Sequence, residues 1–323
     1  MSPTIYPATI LKISAQQLIT MRFDEGPLVG KTRTFDGKQF FRYSKIMVSE
    51  GDRVLASYIK DPRIGESIFI ADYYRNDALL ILTVLFVLVV LWIGRMRGML
   101  SILGMVLSFF VLTKGLLPLI IAGYNPVAVM LGGSLVIIPL TFYVSHGFQK
   151  KTTIAVVSTF ITLGITGALS VLFVQLARLT GYSAEESLFL QAQGITASVQ
   201  SILLAGFILG AMGVLDDVTI SQVSIVESIQ SAKHNLSARE LYHRAMVVGR
   251  DHISSLVNTL FLVYAGASLP LFLLFYSQNI RTDMVFNQEV VATEIVRTLV
   301  SSIGIILAVP LSTVLASRAY THS

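Results

Sequence analysis

Cysteine is missing altogether from these 323 residues. That excludes disulfides, thiol catalysis and thiolate-bound metals. Charge is scarce too: Asp, Glu, Lys and Arg make up 13% of the chain, against roughly 25% in soluble domains. This argues against a cytosolic enzyme and against a disordered tail. There is no Walker loop, no GxSxG elbow and no HExxH helix, so no catalytic residue, cofactor or metal is expected. What fills the chain instead is apolar: 54% hydrophobic residues and a mean hydropathy of +0.71. One aqueous core cannot hide that surplus, whereas several membrane spans can.

The expected fold class is a mainly α-helical integral membrane protein, with about seven transmembrane helices and a small N-terminal all-β domain. Residues 1–77 are soluble in character, holding 11 Lys/Arg, 9 Asp/Glu and no His. Short β-prone runs at Ala8–Ile13, Gln17–Phe23 and Ile46–Ser49 are broken by turn signals such as Asp24-Glu25-Gly26-Pro27 and Glu50-Gly51-Asp52. They predict a barrel or sandwich of five or six strands. Residues 78–323 form the helical domain, with spans expected at Ala78–Gly94, Met99–Ile121, Val127–Gly147, Thr153–Leu176, Ile202–Val226, Ser254–Tyr276 and Thr298–Ala316.

Basic residues collect on the cytoplasmic side of a membrane. They follow the first span (Arg95, Arg97), the third (Lys150, Lys151), the fifth (Lys233, Arg239, Arg244, Arg250) and the seventh (Arg318). The intervening loops are poor in basic residues or balanced by acids. The expected topology puts the β-domain outside and the C-terminus in the cytoplasm. The net charge of +5 is then mainly a topology signal, and nucleic acid is not an expected partner. Met1–Ile10 lacks the basic and apolar regions of a signal peptide, so an anchor upstream of it is expected.

One face of the fifth span stands out. Gly206, Gly210, Gly213, Asp217, Ser221, Ser224 and Ser228 recur at steps of three and four, which puts them on one helical stripe. Small residues let another helix approach closely in lipid, so this stripe, with Gly304 of the last span, is the expected helix-packing surface. An acid at membrane depth costs about 2.5–3.5 kcal/mol to insert and marks a functional site by default. Asp217 continues the stripe, while Asp216 lies about 100° away. The competing reading ends the helix near Leu215 and makes both acids an interfacial cap. In the next span, Arg250 and Asp251 stand at the inner mouth and Asn258 and Thr259 lie deeper. Asn258 would come level with Asp217 and hydrogen-bond it. Glu294 and Arg297, three residues apart, are expected to pair near the outer surface, and Pro310 to kink the last helix.

Several runs are shared with a known family. Gly210-Ala-Met-Gly-Val-Leu-Asp-Asp-Val-Thr-Ile-Ser221 resembles the YibE/F-like family of bacterial membrane proteins. So do Val248-Gly-Arg-Asp-His-Ile-Ser-Ser255 with Asn258-Thr-Leu, Ala265-Gly-Ala-Ser-Leu-Pro-Leu271, Glu294-Ile-Val-Arg297 with Gly304 and Pro310, Asp72-Tyr-Tyr-Arg75, and Gly123-Tyr-Asn-Pro126. The resemblance implies a multi-pass protein of the bacterial cytoplasmic membrane, with a further anchor helix at the start. A weaker resemblance, over the last three spans, is to the SecF-type unit of the RND superfamily; it implies an acid at mid-membrane serving proton-driven motion.

These readings lead to a transporter-like protein, exporting or handling an envelope component. Ion or proton movement would pass through Asp217 with Asn258 and Arg250. The alternative is a non-transporting scaffold that recruits a companion membrane subunit or a second copy. An intramembrane enzyme is the weakest reading, because no nucleophile and base fall at one depth. A cavity beside Asp217 would favour transport; a dry helix seam would favour the scaffold.

Overall fold

The computed structural model describes residues 4–38, 47–61, 65–183, 185–233, 235–277 and 281–321. The chain divides into two compact units, Met1–Trp92 and Ile93–Ser323.

The first unit holds five antiparallel strands: β1 (Thr4–Ile13), β2 (Leu18–Phe23), β3 (Thr32–Asp36), β4 (Arg53–Asp61) and β5 (Gly65–Tyr73). Their order in the sheet is β3-β2-β1-β4-β5. Alternation puts Ala8, Ile10, Ile19, Met21, Phe23, Val54, Ala56 and Ile70 into one core, with Leu28 and Val48 from the connecting segments. The architecture is thus a single sheet, and among the described residues β3 and β5 do not pair to close a barrel. Of the run Ile46–Ser49, residue 46 lies outside the described residues, and 47–49 form a connecting segment rather than a strand. There the sheet core takes only Val48.

Ten helices follow among the described residues. α1 (Asn76–Phe110) continues through a π-helical turn, Val111–Leu116, into α2 (Leu117–Ile121). α3 spans Pro126–His146, α4 Lys150–Leu176, α5 Glu185–Ala192, α6 Val199–Ala232, α7 Ala238–Ala267, α8 Leu269–Ser277, α9 Thr282–Phe286 and α10 Glu289–Thr321. Local chemistry sets the ends. The Asn125 side chain accepts from the Val127 and Ala128 N–H groups, with Pro126 at the first helical position. Ser237 and Glu240 form a reciprocal capping box on α7.

Among the described residues, five helical stretches are long and apolar enough to cross a membrane, or six when the α7–α8 pair, bent by 62°, counts as one span. The first stretch, Asn76–Ile121, is two helices joined across a non-helical residue: Arg95 has φ 49° and ψ −132°, a conformation unusual for a residue with a Cβ. The break falls between the expected spans Ala78–Gly94 and Met99–Ile121, and at about 69 Å the whole stretch is too long for one crossing. The α7–α8 bend falls at Ser268, two residues before Pro270, whose ring removes a helical hydrogen bond. Pro310 ends nothing, since α10 runs through it.

In the second unit α6 is the central helix. It packs on α3, α4, α7 and α10, burying Leu204, Phe207, Ile208, Leu215, Val218, Val223 and Val226. The α4 face turned inward is rich in hydroxyls: Thr152, Ser158, Thr159, Thr162, Thr166 and Ser170 are all buried. All but Thr152 donate to the carbonyl four residues back, which satisfies them within their own helix. Gly304 of α10 meets this face so closely that a Cβ there would sit 2.3 Å from Thr166 Oγ1.

Candidate polar cavity at Asp216 and Asp217

α6 is one unbroken helix of 34 residues, so the two acids stand near its midpoint and cap no turn. The interfacial-cap reading is thereby overturned. A helix of that length measures about 51 Å at 1.5 Å per residue, against a hydrocarbon core of roughly 30 Å.

The acids face a cavity of about 300 Å³ lined by Ser101, Thr141, Ser145, His146, Gly213, Asp216 and Asp217, with Phe142 and Ile220. An adjoining one of about 560 Å³ shares Ser145, His146 and Asp217 and extends to Arg97, Gln149, Lys151, Ser221 and Ser224. Three elements build this site: the second half of α1, the C-terminal end of α3 and the middle of α6. Its polar groups are thus an acid pair, an imidazole, several hydroxyls and, at the wider end, two cations.

The acids are held differently. Asp217 is exposed within the chain. Asp216 is half-buried; its Oδ2 lies 3.4 Å from Thr141 Oγ1, which also reaches the Ile137 and Ile138 carbonyls at 3.0 and 2.9 Å. The one hydroxyl hydrogen is better placed for its own helix, so Asp216 gains only a weak bond. Its Oδ1 is buried and has no hydrogen-bond partner. No group of three or more His, Asp or Glu among the described residues forms a metal cluster.

The expected companions of Asp217 lie elsewhere. Arg250, Asp251, Asn258 and Thr259 are exposed on α7, and none of them lines either cavity. The reason is rotational: α7 meets α6 at Gly249, where a Cβ would lie 3.0 Å from Gln222 Nε2. Gln222 is five residues, about 140°, round the helix from Asp217. The expected packing stripe is corrected in the same way. Gly206, Gly210 and Gly213 are exposed, a Cβ on any of them would meet nothing within 4 Å, and Ser221 and Ser224 line the wider cavity. Among the described residues no helix closes on that face; close helix approaches are found instead at Gly304 and Gly249. The expected Glu294–Arg297 pair is present, with Arg297 Nη1 donating to Glu294 Oε1 at 2.8 Å and its guanidinium 5.1 Å from the Phe207 ring centre.

Three further groups do not emerge from local sequence patterns. His146 meets its cavity partners from other helices. Gln222, fully buried, donates to Thr313 Oγ1 at 2.8 Å and to the Ala245 carbonyl at 3.3 Å. Glu227 accepts from Lys151 Nζ at 3.0 Å and from Tyr320 Oη at 2.9 Å. A polar residue in an otherwise apolar helix was the available signal for both.

The profile of the family described as YibE/F-like protein matches residues 82–322. The stretch includes both acids, α7 and α10 and leaves out the β-sheet. No curated relative and no solved structure matches the chain.

Proposed function

We propose that this chain, which belongs to the YibE/F-like family, is a non-enzymatic, transporter-like membrane protein that couples proton or ion movement to export or handling of an envelope component. The observation that carries the reading is the polar cavity at the midpoint of α6, where Asp216, Asp217 and His146 meet among helices apolar enough to cross a membrane. Acids at that depth are costly to keep, and a cavity gives them water and an exchange route. A carboxyl there binds a proton in one step and releases it in another. The basic-loop pattern supports an orientation with the sheet outside and the C-terminus inside, and the family resemblance favours a bacterial cytoplasmic membrane.

The test is reconstitution into lipid vesicles loaded with a pH-sensitive dye, under an imposed pH gradient. Proton entry should exceed that of empty vesicles and fall at least tenfold in Asp216→Asn. A parent and variant that both behave like empty vesicles would overturn the coupling. The scaffold reading would then lead, supported by the uncovered Gly206–Gly213 stripe, a face open to a companion subunit or a second copy.

A further inference from the structure

Asp216 marks one end of a row of buried polar groups that leads away from the cavity. Two contacts set the register between α4 and α6: Thr159 Oγ1 lies 2.7 Å from Thr219 Oγ1, and Lys151 Nζ lies 3.0 Å from Glu227 Oε2. They are eight residues apart on both helices, so the two run antiparallel and Thr152 comes level with Val226. On the other side, Gln222 bonds Thr313 and Glu227 bonds Tyr320, so α10 runs parallel to α6 and Ser317 falls within about two residues of that level. From Asp216 to Glu227 the groups follow in order: the Thr159–Thr219 hydroxyl pair, Gln222 with Thr313, Thr152 with Ser317, and the Lys151–Glu227–Tyr320 cluster.

Four of these groups have a buried polar atom that no protein group satisfies: Asp216 Oδ1, Gln222 Oε1, Thr152 Oγ1 and Ser317 Oγ. Thr152, Gln222 and Ser317 are at most 1% exposed. Each such atom in a dry site has given up its hydration with nothing in return. Buried water typically makes about three hydrogen bonds to groups of this kind. These atoms come from three packed helices and follow one another in level over about 16 Å of α6, the succession a hydrated file requires.

We propose that a file of buried water runs along α6 between Asp216 and Glu227 and conducts protons between the cavity and the Glu227 end of the bundle. A proton entering at that end passes from water to water, with the Thr159–Thr219 hydroxyls as a link. It is taken up by the Asp216 carboxylate and later leaves to the cavity, so no other species is consumed. Gln222 holds water without itself relaying. This route rests on the coupling reading above.

The experiment replaces two of these hydroxyls with apolar groups of matching shape, Thr152→Val with Ser317→Ala, in the full chain. Melting in detergent reads the water. A dry seam would gain stability on losing two unsatisfied hydroxyls, whereas a hydrated one loses partners and should melt lower. Vesicle proton flux reads the route and should fall about tenfold, while Thr152→Ser, which keeps the hydroxyl, should behave like the parent. A higher melting temperature overturns the file. A lower one with undiminished flux overturns its conducting role. A parent that carries no more flux than Asp216→Asn overturns the coupling reading instead, and leaves the water to be judged by melting alone.

Discussion

Asp216 and Asp217 share composition, charge and depth, and differ in what surrounds them. Asp217 continues the small-residue stripe, which argued for it from the sequence, but that stripe is open within the chain. Asp216 lines the cavity and has an oxygen, Oδ1, buried without a partner. Asp216→Asn should therefore abolish coupled flux with expression retained, and Asp217→Asn should lower it less; equal losses would remove the distinction. In the sheet unit, Arg75 Nη1 bonds Asp72 Oδ2 at 2.7 Å and, with the Tyr73 N–H, holds that carboxyl below its usual range. A depressed carboxylate adds stability above its unfolded value and loses it as pH falls through the folded one. Carboxyl NMR should show Asp72 titrating below an ordinary Asp and returning upward in Arg75→Ala. Because the pair is solvent-exposed, the effect on stability should be small.

Helix seams in this protein are decided by which glycine meets a neighbour. Gly304 abuts Thr166 at a separation no Cβ tolerates, so Gly304→Leu should destabilise the bundle by about 1–3 kcal/mol or more. Gly210 faces open space, and Gly210→Leu should melt like the parent as an isolated chain. If Gly210→Leu instead lost stability at high protein concentration alone, the stripe would be an interface between chains. Where α4, α6 and α10 meet, Glu227 ties two of them to the third through Lys151 and Tyr320. Glu227→Gln should cost about 1 kcal/mol. The difference from the parent should shrink at high salt, where the ion pair is screened.

At the scale of the whole molecule the chain is a sheet unit and a helical unit, and the family match covers the helices alone. The topology proposed from the basic loops is testable because the chain is free of cysteine: any cysteine introduced is the single label site. Val29, 60% exposed in the sheet unit, should react as Val29→Cys with an impermeant thiol reagent on intact cells. Ser231, exposed at the end of α6, should react as Ser231→Cys only after the membrane is opened. The reverse pattern would invert the protein in its membrane, and with it the direction assigned to the Asp216–Glu227 row.

Composition alone determined the class, because burying so many apolar residues with so few charges has one economical solution in a bilayer. Period and turn chemistry marked two of the strands, at Ala8–Ile13 and Gln17–Phe23, and apolar runs marked the long helices. The Glu294–Arg297 pair was legible as well, since three residues on one helix are neighbours whatever surrounds them. What the sequence left open was every relation between helices. Periodicity showed that Gly206, Gly210, Gly213 and Asp217 share a face, and was silent on whether a neighbour covers it. It placed Asn258 at a plausible depth, and only packing turned α7 so that Gly249, and not Asn258, meets α6. The meeting of His146 with Asp217, and of Gln222 with Thr313, joins residues 71 and 91 positions apart. Such contacts depend on the rotation and register of whole helices, set by the summed packing of the bundle rather than by any local run of residues.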